Sequence, residues 1–279
     1  MKVIVIALIF LALQGVVFGV VIYQLYSRNN RKNGQNLVYK NQSSLSYSSF
    51  NSAKKNKMLI HGFGENGRAD FNKQIKDGLL KHDDYNVIVV DWSTASNKNY
   101  TIAKNNAQSI GKSIAQFIDW AKLDKGYLHI IGFDLGAHIA GFAGKQTKLG
   151  RVDKITGLDP VKKGFNINQS ATRLSTGDAR FVEVYHSNGG KIGIMEHLYD
   201  SDKYINDGKS QPKCKTDKCS HDFAWKVYAD QLKGKKYGTY TCETLAELDG
   251  RGCGYLPMEW HGEKTGISQI VTPETTKNG

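Results

Sequence analysis

The sequence lacks several features that would define other classes of protein. It shows no internal repeats, which excludes a repeat array, and it has only four prolines among 279 residues. It also lacks any block of basic residues interleaved with aromatic ones, so we expect no nucleic-acid partner. With 40% hydrophobic and 23% charged residues, the composition is typical of one globular domain with a large core.

The formal net charge of +12 favours contact with anionic surfaces. Phospholipid headgroups and acidic polysaccharides are the partners that such a charge would attract. A basic surface that serves only solubility explains the same composition, so the sequence leaves both interpretations open. We identify no metal-binding or cofactor-binding motif, and we expect neither group.

An apolar run follows the first two residues. Residues 3–23 contain no charged side chain. The favoured interpretation is a signal peptide that ends near Gly19, so the protein is expected to be secreted and extracellular. The run is also long enough to span a bilayer as an uncleaved anchor, with Arg28, Arg31 and Lys32 behind it.

The cysteines and the asparagine triplets agree with export. Cys214 and Cys219 are five residues apart, and Cys242 and Cys253 are eleven apart. Pairing within each local pair is the simplest of three connectivities. Three Asn-X-Ser/Thr triplets would accept N-glycans in a secreted chain, at Asn41, Asn99 and Asn168.

Apolar periodicity alternates between strand and helix along the chain. Short apolar runs predict strands at residues 57–62, 85–92, 127–132, 153–159 and 180–186. Apolar residues at helical spacing predict helices at residues 69–82, 102–122, 135–145 and 221–232. This alternation predicts an α/β fold, with a mostly parallel central sheet and helices on both faces.

The chain is divided into three predicted segments. Residues 1–19 form the leader, residues 20–35 form an irregular segment, and residues 36–279 form one α/β domain. The irregular segment is assigned because Asn, Ser and Lys dominate the region that follows the apolar run.

Chemically capable residues follow the predicted strands. Phe63 lies in a His-Gly-Phe-Gly segment after the first core strand, Asp134 and Asp159 each follow a later strand, and His221 opens the last predicted helix. Functional residues of parallel sheets lie at the carboxyl ends of strands. The order of nucleophile position, acid and histidine is that of the α/β-hydrolase arrangement.

Several of these segments resemble the pancreatic-lipase family. IIGFDLGAHIAGFAGK resembles the family pattern IGHSLGAHxAGFAG, ITGLDP resembles its acid-bearing strand end, and CSHDFAWKVYA resembles its histidine helix. DKYINDGKSQPKC, TCETLAELDGRGC and GISQIVT resemble later family segments in the same order. The resemblance runs from about residue 36 to residue 272. Because no C-terminal β-sandwich is expected, the chain is similar to the short insect members, including venom phospholipases A1 and yolk proteins.

The resemblance implies a role for each matching residue. Asp159 would be the triad acid, His221 the general base, and the backbone N–H groups of Phe63 and Leu135 the oxyanion hole. The family's lid is closed by a disulfide that corresponds to Cys214–Cys219. Here that pair encloses only four residues, a shortened lid that goes in this family with phospholipid or small-ester substrates.

The departure from the family pattern is Asp134, which stands where the nucleophilic serine would be. A carboxylate that attacked an ester would form a mixed anhydride while expelling a far more basic alkoxide, so the intermediate would return to substrate. The oxyanion-hole donors and the helix N-terminus would also bind this carboxylate. His221, between Asp134 and Asp159, would then be held as an imidazolium.

We therefore expect a lipase-like protein that is inactive as a serine esterase and that binds or stores a lipid or another hydrophobic ligand. Two alternatives stay open. One is an active carboxylic ester hydrolase of the lipase or phospholipase A1 type, with Asp134 or His221 activating water. The other is an α/β-hydrolase that uses Asp134 as its nucleophile, as haloalkane dehalogenases and epoxide hydrolases do.

Overall fold

The computed structural model describes residues 21–95, 99–123, 127–148, 150–250, 253–255 and 265–272. The expected signal peptide at residues 1–19 lies outside the described residues. Within the described ranges, no helix combines the length and the apolar character needed to cross a membrane.

The described residues form eleven strands and six α-helices. The strands are β1 (Ile22–Tyr26), β2 (Gln35–Leu37), β3 (Asn56–Ile60), β4 (Asn86–Asp91), β5 (Leu128–Phe133), β6 (Lys154–Leu158), β7 (Phe181–His186), β8 (Ser201–Ile205), β9 (Gly238–Cys242), β10 (Gly254–Tyr255) and β11 (Gly266–Val271). The helices are α1 (Gln42–Ser46), α2 (Asp70–His82), α3 (Tyr100–Ala121), α4 (Leu135–Gln146), α5 (Asp217–Leu232) and α6 (Ala246–Gly250).

All described strands join one sheet in the order β10-β9-β11-β8-β7-β6-β5-β3-β4-β1-β2. The central strands from β11 to β4 are parallel to one another, and antiparallel strands close both edges. This confirms the predicted α/β fold with a mostly parallel sheet. The carboxyl ends of β5, β6 and β7 therefore lie side by side.

Helices cover both faces of the sheet. In β3, Met58 and Ile60 belong to the core that α3 and α4 complete, whereas Leu59 belongs to the core that α2 and α5 complete. Every residue of β3 is buried, as expected for a parallel strand between two helical layers. Because the central strands are buried on both faces, their sequences are the nearly continuous apolar runs from which they were predicted.

The N-terminal segment is more regular than predicted. Residues 20–35 are expected to be irregular, but β1 lies within them and pairs antiparallel with β4. Tyr23 of β1 stacks on Phe117 of α3 with ring centroids 3.8 Å apart. The prediction is wrong here because the apolar start of β1 is continuous in sequence with the predicted leader.

Candidate active site

Asp134 occupies a sharp turn between β5 and α4. Its backbone has φ 56° and ψ −122°, a strained positive-φ conformation outside the left-handed helical region. The turn also needs two glycines. A Cβ at Gly136 would stand 2.2 Å from the carbonyl oxygen of Ile60, and a Cβ at Gly132 would stand 2.4 Å from the carbonyl oxygen of Gly136. These close approaches place the start of α4 directly against the end of β3.

The turn presents the Asp134 carboxylate to backbone donors. The N–H of Phe63 donates to Oδ2 of Asp134 at 2.8 Å, and the N–H of Leu135 also interacts with the carboxylate. Phe63 and Leu135 are the two residues whose N–H groups would form an oxyanion hole according to the family resemblance. One of the two N–H groups thus already holds a carboxylate oxygen of the protein.

His221 bridges the two carboxylates. Its Nδ1 donates to Oδ2 of Asp159 at 2.6 Å, and its Nε2 lies 3.3 Å from Oδ1 of Asp134. The second contact has the distance of an ion pair but not the alignment of a hydrogen bond. All three side chains are buried. The predicted residues Asp134, Asp159 and His221 therefore form one contiguous group.

The pKa values of Asp134 and His221 are both shifted from their ordinary values. Burial alone would raise the pKa of Asp134, but His221 and then the N–H groups of Leu135 and Phe63 outweigh it and hold the pKa below its ordinary value. Burial alone would lower the pKa of His221, but Asp134 and Asp159 outweigh it and raise the pKa to about 10. At neutral pH the group is an imidazolium between two carboxylates.

Residues that the sequence analysis did not single out hold Asp159 in place. The backbone N–H groups of Ser187 and Asn188 donate to Oδ1 of Asp159 at 2.8 and 3.1 Å. The Ser187 hydroxyl also donates to the carbonyl oxygen of His221, which connects α5 to the segment after β7. The detectable signal is the position of Ser187 and Asn188 directly after β7, beside the strand end that carries Asp159.

Gln211 connects three of the elements around the site. Its side-chain amide donates to the carbonyl oxygens of Ser187 and Ile205 at 2.9 and 3.0 Å, and its backbone N–H donates to the hydroxyl of Ser220. Gln211 belongs to the SQPKC part of a segment noted for its family resemblance, but the sequence assigned it no role. Through its contact with Ser220, the residue before His221, Gln211 connects this segment to the helix that carries His221.

Both disulfides connect the cysteines within each local pair. Cys214 is bonded to Cys219, and Cys242 is bonded to Cys253. The four residues between Cys214 and Cys219 include Thr216, whose hydroxyl caps α5 by accepting from the N–H of Cys219. The short enclosed segment therefore starts the histidine helix.

The three candidate glycosylation residues are exposed. Asn41 caps α1 by accepting from the N–H of Ser44, and Asn99 caps α3 by accepting from the N–H of Ile102. Asn168 lies in a loop after β6. In each cap the side-chain oxygen is the accepting atom, so the amide nitrogen that would carry a glycan is not used by the cap.

Two further histidines near the site are structural. His138 is fully buried and stacks on Phe165 with centroids 3.7 Å apart; it contacts the carbonyl oxygen of Val161 through Nε2 and accepts from the N–H of Leu174 through Nδ1. Burial lowers its pKa to about 4, so it stays neutral. His61 is also fully buried and contacts Trp92.

Several known proteins are similar to this chain over most of its length. The profile of the Lipase family matches residues 17–253. The chain is 30% identical to the pancreatic triacylglycerol lipase of Sus scrofa, over 89% of its own length and 64% of that protein, and 32% identical to that of Homo sapiens, over 88% and 62%. It is 29% identical to the inactive pancreatic lipase-related protein 1 of Homo sapiens, over 84% and 56%. The chain spans about three fifths of the length of these relatives.

Proposed function

Because this chain belongs to the lipase family, we propose that it is a secreted, extracellular member that does not hydrolyse esters through a serine nucleophile. We propose that it instead binds or stores a lipid or another hydrophobic ligand. The observation that carries the first part is the Asp134 carboxylate in contact with the N–H of Phe63 and with His221.

Three properties of this arrangement oppose ester hydrolysis. The carboxylate cannot form a productive acyl-enzyme, because an ester's alkoxide is a far poorer leaving group than the carboxylate. Oδ2 of Asp134 occupies the N–H group of Phe63 that would stabilise a substrate oxyanion. His221 is protonated at neutral pH, so it has no lone pair with which to accept a proton.

Aromatic side chains beside Asp134 support the proposal that the ligand is hydrophobic. Phe63 and Tyr100 are both partly exposed, and their rings meet edge to face at 5.3 Å. Lys163 lies 5.4 Å from the centroid of the Tyr100 ring, and Lys218 lies 5.8 Å from the centroid of the Phe133 ring. Apolar surface flanked by cations suits a lipid with an anionic head, such as a fatty acid or a phospholipid.

Two measurements on the purified protein test this proposal. We expect no turnover of short-chain esters or phospholipid vesicles above the rate in buffer, and we expect saturable binding of a fluorescent fatty acid. Tyr100→Ser should weaken that binding, whereas Tyr47→Ser, at an 86% exposed position at the end of α1, should leave it unchanged.

The alternative functions correspond to other outcomes of the same measurements. Ester turnover that His221→Ala abolishes would establish an active carboxylic ester hydrolase and overturn the proposal. Turnover of a haloalkane or an epoxide that Asp134→Asn abolishes would establish an Asp134 nucleophile. Absence of both turnover and fatty-acid binding would reject the lipid-binding part of the proposal.

A further inference from the structure

A second buried polar cluster lies far along the strands from Asp134. It consists of Lys57, His129, Thr156, Glu183 and Lys203 on five adjacent parallel strands, together with Lys154 on the same strand as Thr156. They lie on the sheet face that α2 and α5 cover, toward the amino ends of the strands. The described geometry of the candidate active site uses none of them.

Hydrogen bonds define the protonation of this cluster. The hydroxyl of Thr156 donates to Oε1 of Glu183 at 2.7 Å, so its oxygen is free to accept from Nε2 of His129, also at 2.7 Å. Nδ1 of His129 then carries a lone pair, and Nζ of Lys57 donates to it at 3.2 Å. Burial and neighbouring lysines hold the pKa of His129 well below its ordinary value, which agrees with a neutral ring.

The cluster contains more positive than negative charge. Lys203 donates to Oε2 of Glu183 at 2.7 Å, and Lys154 lies 3.1 Å from Oε1 of the same carboxylate. Lys57 is the third cation, and the partner of its ammonium group is the neutral His129 ring. The cluster therefore holds three lysines, of which Lys154 and Lys203 contact the single carboxylate of Glu183.

An excess of buried cations is unfavourable unless an anion accompanies them. Lys57 and Lys203 are each only 8% exposed. Burial lowers the pKa of Lys57 to about 8, with further lowering by Lys154 and Lys55 that Glu183 and Asp83 partly offset. The Tyr85 and Tyr127 rings lie 4.7 and 5.2 Å from Nζ of Lys57 and stabilise the cation without neutralising it.

A cavity opens among these side chains. Its volume is about 120 Å³, and its lining includes Lys57, Lys154, Lys203 and Glu183. Because a water molecule needs roughly 10–15 Å³ of such volume, the cavity has room for several waters or for one small polyatomic ion.

We propose that this cavity binds a small inorganic oxyanion, such as phosphate or sulfate, through Lys57, Lys154 and Lys203. The oxyanion accepts hydrogen bonds from the lysine ammonium groups and balances the charge that Glu183 leaves uncompensated. Binding then stabilises the amino ends of the central strands against α2 and α5. This proposal is independent of the function proposed for Asp134.

Thermal unfolding with sodium phosphate or sodium sulfate, at constant ionic strength set with sodium chloride, tests the proposal. We expect millimolar phosphate or sulfate to raise the Tm of the wild type by about 2–4 °C. Lys57→Met should remove most of this shift. Lys73→Met, at an exposed position of α2 outside this cavity, should retain it.

A second measurement locates the anion. Reductive methylation read by mass spectrometry should modify Lys57 more slowly when phosphate is present, and Lys73 at an unchanged rate. Equal Tm values in phosphate, sulfate and chloride would overturn the proposal, and so would a Lys57→Met variant that keeps the whole shift. Protection of Lys73 equal to that of Lys57 would also overturn it, because the anion would then not be specific to this cavity.

Discussion

The backbone N–H of Phe63 donates a 2.8 Å hydrogen bond to Oδ2 of Asp134. In a serine hydrolase, a donor at this position stabilises the negative charge that develops on a substrate oxygen. Here the negative charge belongs to the protein and is present before any ligand arrives. The Asp134 side chain thus stands where the family resemblance implies a nucleophile, accepts from the Phe63 N–H and places a carboxylate beside His221.

Asp134→Ser should create ester hydrolysis. The serine hydroxyl would face His221, the Phe63 N–H would be released, and Asp159 would keep its contact with Nδ1 of His221. Because loss of the nucleophile in such a triad commonly reduces turnover about 10⁶-fold, we expect kcat/KM for a short-chain ester to rise at least about 100-fold over the wild type.

The matched control is Asp134→Ser combined with His221→Ala, which should return the rate to that of the wild type. A serine-directed phosphonate should label Asp134→Ser and leave the wild type unlabelled. A folded Asp134→Ser variant that gains no activity would show that further parts of the machinery are missing.

His221 should titrate at unusually high pH. Asp134 and Asp159 together raise its pKa to about 10, so its imidazole resonances should not shift between pH 5 and 8 in NMR spectra. In Asp134→Asn one of the two charges is removed, and the titration should move down toward the ordinary range. A wild-type midpoint near 6.5 would contradict the imidazolium assignment.

The raised pKa of His221 also makes the stability of the domain depend on pH. Because the pKa of His221 is raised on folding, its stabilising contribution is fully present below the unfolded pKa of about 6.5 and is lost as pH rises toward the folded pKa of about 10. The free energy of unfolding of the wild type, relative to His221→Gln, should therefore decrease between these pH values. Urea unfolding at several pH values measures it, and a pH-independent difference would reject the linkage.

Gly136→Ala should destabilise the domain strongly. A Cβ there would stand 2.2 Å from the carbonyl oxygen of Ile60 and 2.4 Å from that of His61, and backbone atoms cannot move aside cheaply. We expect a loss of at least about 2 kcal/mol in the free energy of unfolding. Gly254→Ala, where a Cβ meets no atom within 4 Å, is the matched control and should change it by less than about 0.5 kcal/mol.

The sequence predicts the central sheet well because its strands are buried on both faces. β4 and β5 appear as short apolar runs with clear ends. β8 was not predicted, since its Asp202 and Lys203 are polar yet buried through contacts with other elements. Asp202 accepts from His186 and His197, and Lys203 donates to Glu183, partners that only the fold brings together.

Part of the candidate site could also be predicted from the sequence, and part could not. Asp134, Asp159 and His221 could be selected because each follows a strand or opens a helix in a known order. The donors that hold Asp159 are backbone N–H groups of Ser187 and Asn188, which the sequence indicates only through their position directly after β7 and not through their side chains. The Asp134 contact with Phe63 could be proposed from chemistry, but its distance required coordinates.

Removal of the two disulfides should have unequal effects. Cys214–Cys219 spans five residues and Cys242–Cys253 spans eleven, so the second constrains the unfolded chain more. Loop-closure entropy predicts losses of about 2 and about 3 kcal/mol for the double serine variants.

The two variants should also differ in where they act. Cys219 is two residues before His221 in α5, whereas Cys242 ends β9, the second strand from one edge of the sheet. In the Asp134→Ser background, Cys214→Ser/Cys219→Ser should therefore lower kcat in addition to stability, while Cys242→Ser/Cys253→Ser should lower stability alone. Urea unfolding and ester turnover below the unfolding transition measure both quantities. Equal kcat values in the two variants would show that the disulfide near His221 does not position it.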